Sequence, residues 1–152
     1  MLTIDGLDGL RERLGQELGV SDWVDVSQAE IDAFAAATRD FYWIHVDPGR
    51  ARETALGSTI AHGLLTLSLG PGLTHEMYEV SGFRHLLNYG YEFVRFPAPL
   101  PVDSRVRMHA KLLSVDEQAG GVRFTVAQTF EREGTDKPVC VAENVWYLVP
   151  LA

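Results

Sequence analysis

The chain has 152 residues, which suits one domain with a single sizeable core. Charged residues make up 22% and hydrophobic ones 46%, an ordinary globular balance, and the formal charge of −8 argues against nucleic acid unless basic residues are strongly segregated. The lone cysteine excludes an internal disulfide, no Cys/His spacing suits a metal, and no run approaches the roughly 20 apolar residues of a membrane span. A small anionic ligand stays compatible with that charge, because it needs only a few local cations.

Residues 1–15 lack both a long apolar core and a basic leader, so no secretory signal is expected and the setting expected is cytoplasmic. Leu7, Leu10, Leu14 and Leu18 recur at helical spacing between charged residues and predict an amphipathic helix that stops at Gly19. Val20 to Val26 reads as a short extended piece. Ser27 and Glu30 then have the spacing of a capping box, and the helix they start carries Ile31, Phe34 and Ala35 on one face. It should end near Thr38 or Arg39.

Asp40 to Pro48 follows, with Phe41, Tyr42 and Trp43 in a row. It predicts a packed, irregular segment rather than a solvated loop. Pro48 can open a short helical turn, and Ala55 to Ser58 is a small-residue connection. From Ala61 the chain is almost wholly apolar through Leu64, Leu65, Leu67, Leu69, Leu73 and Met77, which predicts a helix surrounded by protein. A kink is expected at Gly70-Pro71-Gly72, and an end at Ser81-Gly82.

The period then changes to two. Strands are predicted over His85 to Phe96, across Val106, Met108, Ala110 and Leu112, across Val122 to Phe130, and over Val139 to Val149. Cys140, among Val139, Val141 and Ala142, reads as inert packing in a strand. The fold class is α+β, a curved antiparallel sheet wrapped around one central apolar helix. Exposed sheet edges invite pairing, so a dimer is expected to cover one.

Asp40 and His45 are the candidate proton-transfer pair. An imidazole titrates near neutrality, and a neighbouring carboxylate fixes its tautomer and stabilises its charged form, so the two can orient and deprotonate one water. A surface acid beside a loop histidine is the plain alternative. Gly63 opens the apolar helix, where the first N–H groups have no intrahelical partner. Lacking Cβ, it lets a carbonyl oxygen approach, and the helix dipole favours negative charge there. Close packing alone would also ask for glycine.

The aromatic residues Tyr42 and Trp43 are candidates for walling the substrate. His62, beside Gly63, is a candidate contact with no proton-transfer role. Ser68 can bond back to the carbonyl of Leu64 or hold the Asp40 carboxylate. Asn88 can line a pocket or join a polar network. The row Arg105, Arg107, His109 and Lys111 can meet a phosphate or form a solvated strand face.

Two motifs in series, Asp40-x-x-Trp43-Ile-His45-Val-Asp47-Pro48 and Thr59-Ile-Ala-His62-Gly63-Leu-Leu-Thr66-Leu, resemble the MaoC-like dehydratases of hot-dog fold. Asn88-Tyr-Gly90 and Val94-Arg-Phe-Pro-Ala-Pro99-Leu-Pro-Val resemble its nodulation-protein-N-like branch, which includes (R)-specific enoyl-CoA hydratases. The resemblance covers nearly the whole chain. It implies a homodimer and reversible syn addition of water to a trans-2-enoyl thioester of coenzyme A or acyl-carrier protein, giving the (R)-3-hydroxyacyl product. It also implies Asp40 and His45 as the catalytic acid and histidine and Gly63 as the donor to the thioester oxygen. No metal or redox cofactor is implied; coenzyme A belongs to the substrate.

The chain departs from the pattern at Arg39, where relatives commonly have glycine, and at Phe41-Tyr42, where they have small or polar residues. Both departures bear on acyl preference. A hot-dog thioesterase, with Glu76 as the nearest helix acid, and a non-catalytic acyl-binding subunit are the competing functions.

Overall fold

The computed structural model describes residues 1–151. Its main sheet is antiparallel and six-stranded. Four long strands form most of it: β5 (Phe83–Arg95), β6 (Ser104–Gln118), β7 (Gly121–Arg132) and β8 (Cys140–Pro150). The order along it is β2-β6-β7-β8-β5, with β2 (Glu17–Val20) and β3 (Val24–Val26) both pairing with β6. β5 is therefore an edge strand.

Alternation decides which face is inside. Val106, Met108, Ala110 and Leu112 of β6 and Phe124, Val126 and Phe130 of β7 are fully buried. Cross-strand pairs Met108–Phe130, Leu112–Val126 and Phe124–Trp146 form the floor on which the central helix lies. That helix, α5 (Gly63–Met77), buries Leu67, Gly70, Leu73, Thr74 and Met77. At Gly70 a Cβ would lie 3.1 Å from the Gln128 Oε1, so glycine lets helix and sheet approach closely. This is the expected hot-dog arrangement.

Outside the sheet, the intervening arginines are paired. Arg107 donates twice to Glu131, at 2.8 and 3.2 Å, and Arg105 donates to Glu133 at 3.1 Å. The basic row is a solvated face on which Arg105, Arg107 and His109 meet acids. Asn88 joins a polar network: the Asn144 amide donates to its Oδ1 at 2.9 Å and to the Gly90 carbonyl at 3.0 Å.

The N-terminal expectation needs correction. The first helix, α1, spans only Gly6–Glu12, and Leu18 lies in β2. Gly15 at φ +77 turns the chain away, donating to the Leu112 carbonyl at 2.9 Å, while the Leu112 amide donates to Gln16 at 3.0 Å. Covering the β6 edge wins over continuing the leucine stripe, and Leu14 is left exposed. Two unforeseen strands, β1 (Leu2–Asp5) and β4 (Tyr78–Ser81), pair in parallel, so α5 ends at Met77 and not at Ser81-Gly82. The helix runs through Pro71 without a break.

The aromatic run is corrected as well. Within this chain Phe41 and Tyr42 are 62% and 56% exposed, so that segment is not packed. Trp43 starts a short helix, α3 (Trp43–Val46), and lies under the Arg50 guanidinium at 4.2 Å.

Candidate active site

The site begins with a helix end. Helix α2 (Gln28–Thr38) has the expected capping box: the Glu30 amide donates to Ser27 Oγ at 3.3 Å, and the Ser27 amide donates to Glu30 Oε2 at 2.8 Å. Its far end is Arg39, in the left-handed region at φ 65. A side chain there costs about 1–2 kcal/mol relative to the right-handed region, which glycine avoids. This turn delivers Asp40.

α3 then delivers His45, and three backbone ties hold it. The Ile60 amide donates to the Ile44 carbonyl at 3.1 Å, and the His45 Nδ1–H donates back to the Ile60 carbonyl at 2.7 Å. Gln28 Nε2 donates to the His45 carbonyl at 2.8 Å, while Gln28 Oε1 accepts from the Thr59 hydroxyl at 2.5 Å. Residues 59–61 are in turn pinned to the proline-rich run, Ala61 donating to Leu100 at 2.8 Å and Thr59 accepting from Val102 at 2.9 Å. The bond to Ile60 fixes the tautomer: with Nδ1 carrying the proton, Nε2 is left as a base. Burial lowers the His45 pKa from its ordinary 6.5; the neighbouring His62 lowers it further, against the bond to Ile60 and the Asp40 carboxylate. The ring is therefore neutral at neutral pH.

His62 has a role that the sequence did not reveal. It is 3% exposed, its ring stacks on His45 at 3.8 Å, and its Nε2–H donates to the Asp40 backbone carbonyl at 3.0 Å. It fastens the acid-bearing turn to the start of α5. A carboxylate oxygen of Asp40 and one ring nitrogen each of His45 and His62 all lie within 4.8 Å of one another. That span suits a water bridging Asp40 and His45, since each of its bonds covers about 2.8 Å. His45 Nδ1 and His62 Nε2 are each committed as donors to a backbone carbonyl, so neither of these two nitrogens is free to ligate a metal.

Gly63 supplies the third component. Among the described residues its amide, and that of Leu64, donates to no backbone or side-chain group. A Cβ on Gly63 would come within 2.8 Å of the Phe96 ring. The packing reason for glycine is thus real, and it coexists with a free donor. His45, Gly63 and Phe96 wall two adjoining cavities: one of about 340 Å³ that contains Asp40 and His62, and one of about 270 Å³ lined by Ile60, Thr66, Leu100 and Val139.

The other candidates fall elsewhere. Ser68 donates to the Leu64 carbonyl at 2.6 Å, the back-bonded state, and does not hold Asp40. Asn88 is engaged with Asn144, and Tyr42 and Trp43 line neither cavity within this chain. Gln28, Thr59 and Phe96 escaped the sequence reading. Gln28 sits inside the capping box as an apparent spacer, and only the tertiary fold shows what its amide grips.

An acid and a neutral imidazole with room for a water between them, beside an amide free to receive charge from a carbonyl, suit the chemistry of a hydratase or dehydratase, a hydro-lyase. Residues 10–133 match the family described as MaoC like domain, and the chain belongs to that family. It is 49% identical over 146 residues to 3-hydroxyacyl-thioester dehydratase Z of Mycobacterium tuberculosis, covering 95% of this chain and 97% of that protein. It is 41% identical to Nodulation protein N of Rhizobium leguminosarum bv. viciae, over 86% of this chain and 83% of the relative. The solved (R)-hydratase of A. caviae superposes with a TM-score of 0.72 at 25% identity, covering 88% of this chain and 94% of that one.

Proposed function

We propose that this protein adds water reversibly to trans-2-enoyl thioesters to give (R)-3-hydroxyacyl thioesters, with Asp40, His45 and Gly63 as its catalytic residues. The observation that carries the reading is that a ring nitrogen of His45 lies within 4.8 Å of an Asp40 carboxylate oxygen, in a ring whose Nδ1–H is committed to Ile60 and whose Nε2 is left as a base. In hydration His45 takes a proton from the bridging water as its oxygen bonds to C3. The double-bond electrons move onto the thioester oxygen, where the Gly63 N–H and the helix start stabilise them. The pair then returns a proton to C2, so one water O–H bond breaks while C3–O and C2–H form. Dehydration is the reverse.

The thioester class follows the name of the M. tuberculosis relative, a 3-hydroxyacyl-thioester dehydratase, and coenzyme A or acyl-carrier protein as the thiol follows from the resemblance in sequence. Pairing of two β5 edges in a homodimer would cover Leu87, Tyr89 and Phe93, which are exposed here. A cytoplasmic setting is part of the same proposal; no helix among the described residues is long and apolar enough to cross a membrane. The thioesterase alternative loses its acid, since Glu76 stands thirteen residues after Gly63 on the same helix, about 20 Å along it at 1.5 Å per residue. A purely acyl-binding subunit with an aromatic-filled pocket is disfavoured by the outward position of Phe41 and Tyr42.

The test is hydration of crotonyl-CoA by the wild type, Asp40→Asn and His45→Gln. General acid–base groups contribute typically ~10²–10⁴-fold, and losses of that size are expected in kcat/KM. Full rates in both variants would remove the pair from the mechanism.

A further inference from the structure

We propose that the Phe96 ring is the partition that decides which acyl chains the site accepts, an inference that rests on the hydratase reading above. Three observations lead to it. Phe96 lies face-on over the Gly63 α-carbon: a Cβ there would stand 2.8 Å from its Cγ and 2.9 Å from both Cδ atoms. The ring therefore occupies the position where any other residue would carry a side chain, and it leaves the neighbouring N–H clear.

The same ring belongs to the walls of both cavities, and so do His45 and Gly63. A thioester seated at those two residues has two ways to send its acyl tail. One chamber, of about 340 Å³, carries Thr38, Asp40 and His62 on one side, where water can sit, and Phe34 and Leu64 on the other. The other, of about 270 Å³, is lined by Ile60, Ala61, Ala98, Leu100 and Val139, and hydrocarbon belongs there. Phe96 stands on the boundary between them.

The third observation concerns what can move. Phe96 follows directly on β5 and precedes Pro97, Pro99 and Pro101, whose rings fix the backbone. Bonds from Ala61 to Leu100 (2.8 Å) and from Val102 to Thr59 (2.9 Å) anchor that run to the catalytic segment. The backbone is held, while the side chain is 42% exposed and free to turn about its own bonds. A fixed hinge with a turnable ring at a cavity boundary sets the width available to the acyl chain.

The experiment is a chain-length series of trans-2-enoyl-CoAs from four to twelve carbons, read as the ratio of kcat/KM for the longest to the shortest. Phe96→Ala, and Phe96→Leu should the alanine variant not fold, is expected to raise that ratio at least fivefold, and Phe96→Trp to lower it. A smaller change in the ratio for the truncated variants overturns the partition. Binding of saturated acyl-CoAs by calorimetry reads the same length dependence without turnover. A wild type that hydrates no enoyl-CoA, with Phe96→Ala still binding longer chains more tightly, would sink the hydratase reading and leave the partition standing. Turnover abolished by Asp40→Asn, with a length profile unmoved at Phe96, would do the opposite.

Discussion

His109 and His45 both sit near acids, and they differ in what is left over. On the outer face of the sheet, His109 Nε2 meets Glu131 at 2.7 Å and its Nδ1 approaches Glu17 at 3.8 Å, while Arg107 also grips Glu131. Hydrogen bonds from Arg107 and His109 hold the Glu131 carboxyl below its ordinary range. Both nitrogens lie near an acid, and the ring is about one-third exposed. At His45 one nitrogen is committed to a backbone carbonyl, the ring is buried with an Asp40 carboxylate oxygen within 4.8 Å of it, and Nε2 has no hydrogen-bond partner among the described residues. The first arrangement is saturated surface electrostatics. The second has one unmet demand, and catalysis needs that.

The largest effect short of the catalytic groups is expected at the support of the unsaturated side. Gln28→Ala removes the grip on the His45 carbonyl and on Thr59. One hydrogen bond of roughly 1.4 kcal/mol corresponds to a tenfold change, so kcat should fall about tenfold with KM less affected. A looser, wetter ring also moves its pKa back toward 6.5, shifting the acid limb of the pH–rate profile upward; an unmoved limb would reduce Gln28 to a fold contact.

The pH dependence itself separates the two histidines. Burial lowers the folded pKa of His45, so between that value and 6.5 the unfolded chain binds the proton more readily. The stability tied to neutral His45 is fully present above about 6.5 and is lost as the pH falls through the folded value. Denaturant melts across pH 5–7 (a window of about one unit either side of the ordinary histidine range) should show this decline in the wild type and its loss in His45→Gln.

Arg39→Gly is expected to stabilise the chain by about 1 kcal/mol, because glycine takes the left-handed turn before Asp40 without a Cβ penalty. An unchanged or lowered melting temperature would mean that the arginine side chain contributes more than its backbone costs. The smallest effect belongs to the saturated face. Glu131→Gln should cost about 1 kcal/mol or less, since its partners are about one-third exposed, and should leave hydration rates at wild-type level.

What the residues revealed on their own was local or periodic. Ser27 and Glu30 announce a helix start within four residues, and Asp40, His45 and Gly63 carry chemistry in their side chains or in the lack of one. The strands from β5 onward are written in two-residue alternation. Leu14 and Leu18 misled because the β6 edge, remote in sequence, competes for the chain at Gly15. The roles of His62, Gln28 and Phe96 depend on partners 22, 17 and 33 positions away in sequence, and no local pattern encodes such contacts.

The most direct test of one water held on one face is hydration of crotonyl-CoA in deuterium oxide, with the product resolved for chirality and its C2 deuterium located by NMR. The expected product is (R)-3-hydroxybutyryl-CoA with hydroxyl and deuterium added to the same face. An (S) product, addition to opposite faces, or release of free coenzyme A without hydration would contradict the assignment of Asp40 and His45 to a single bridging water.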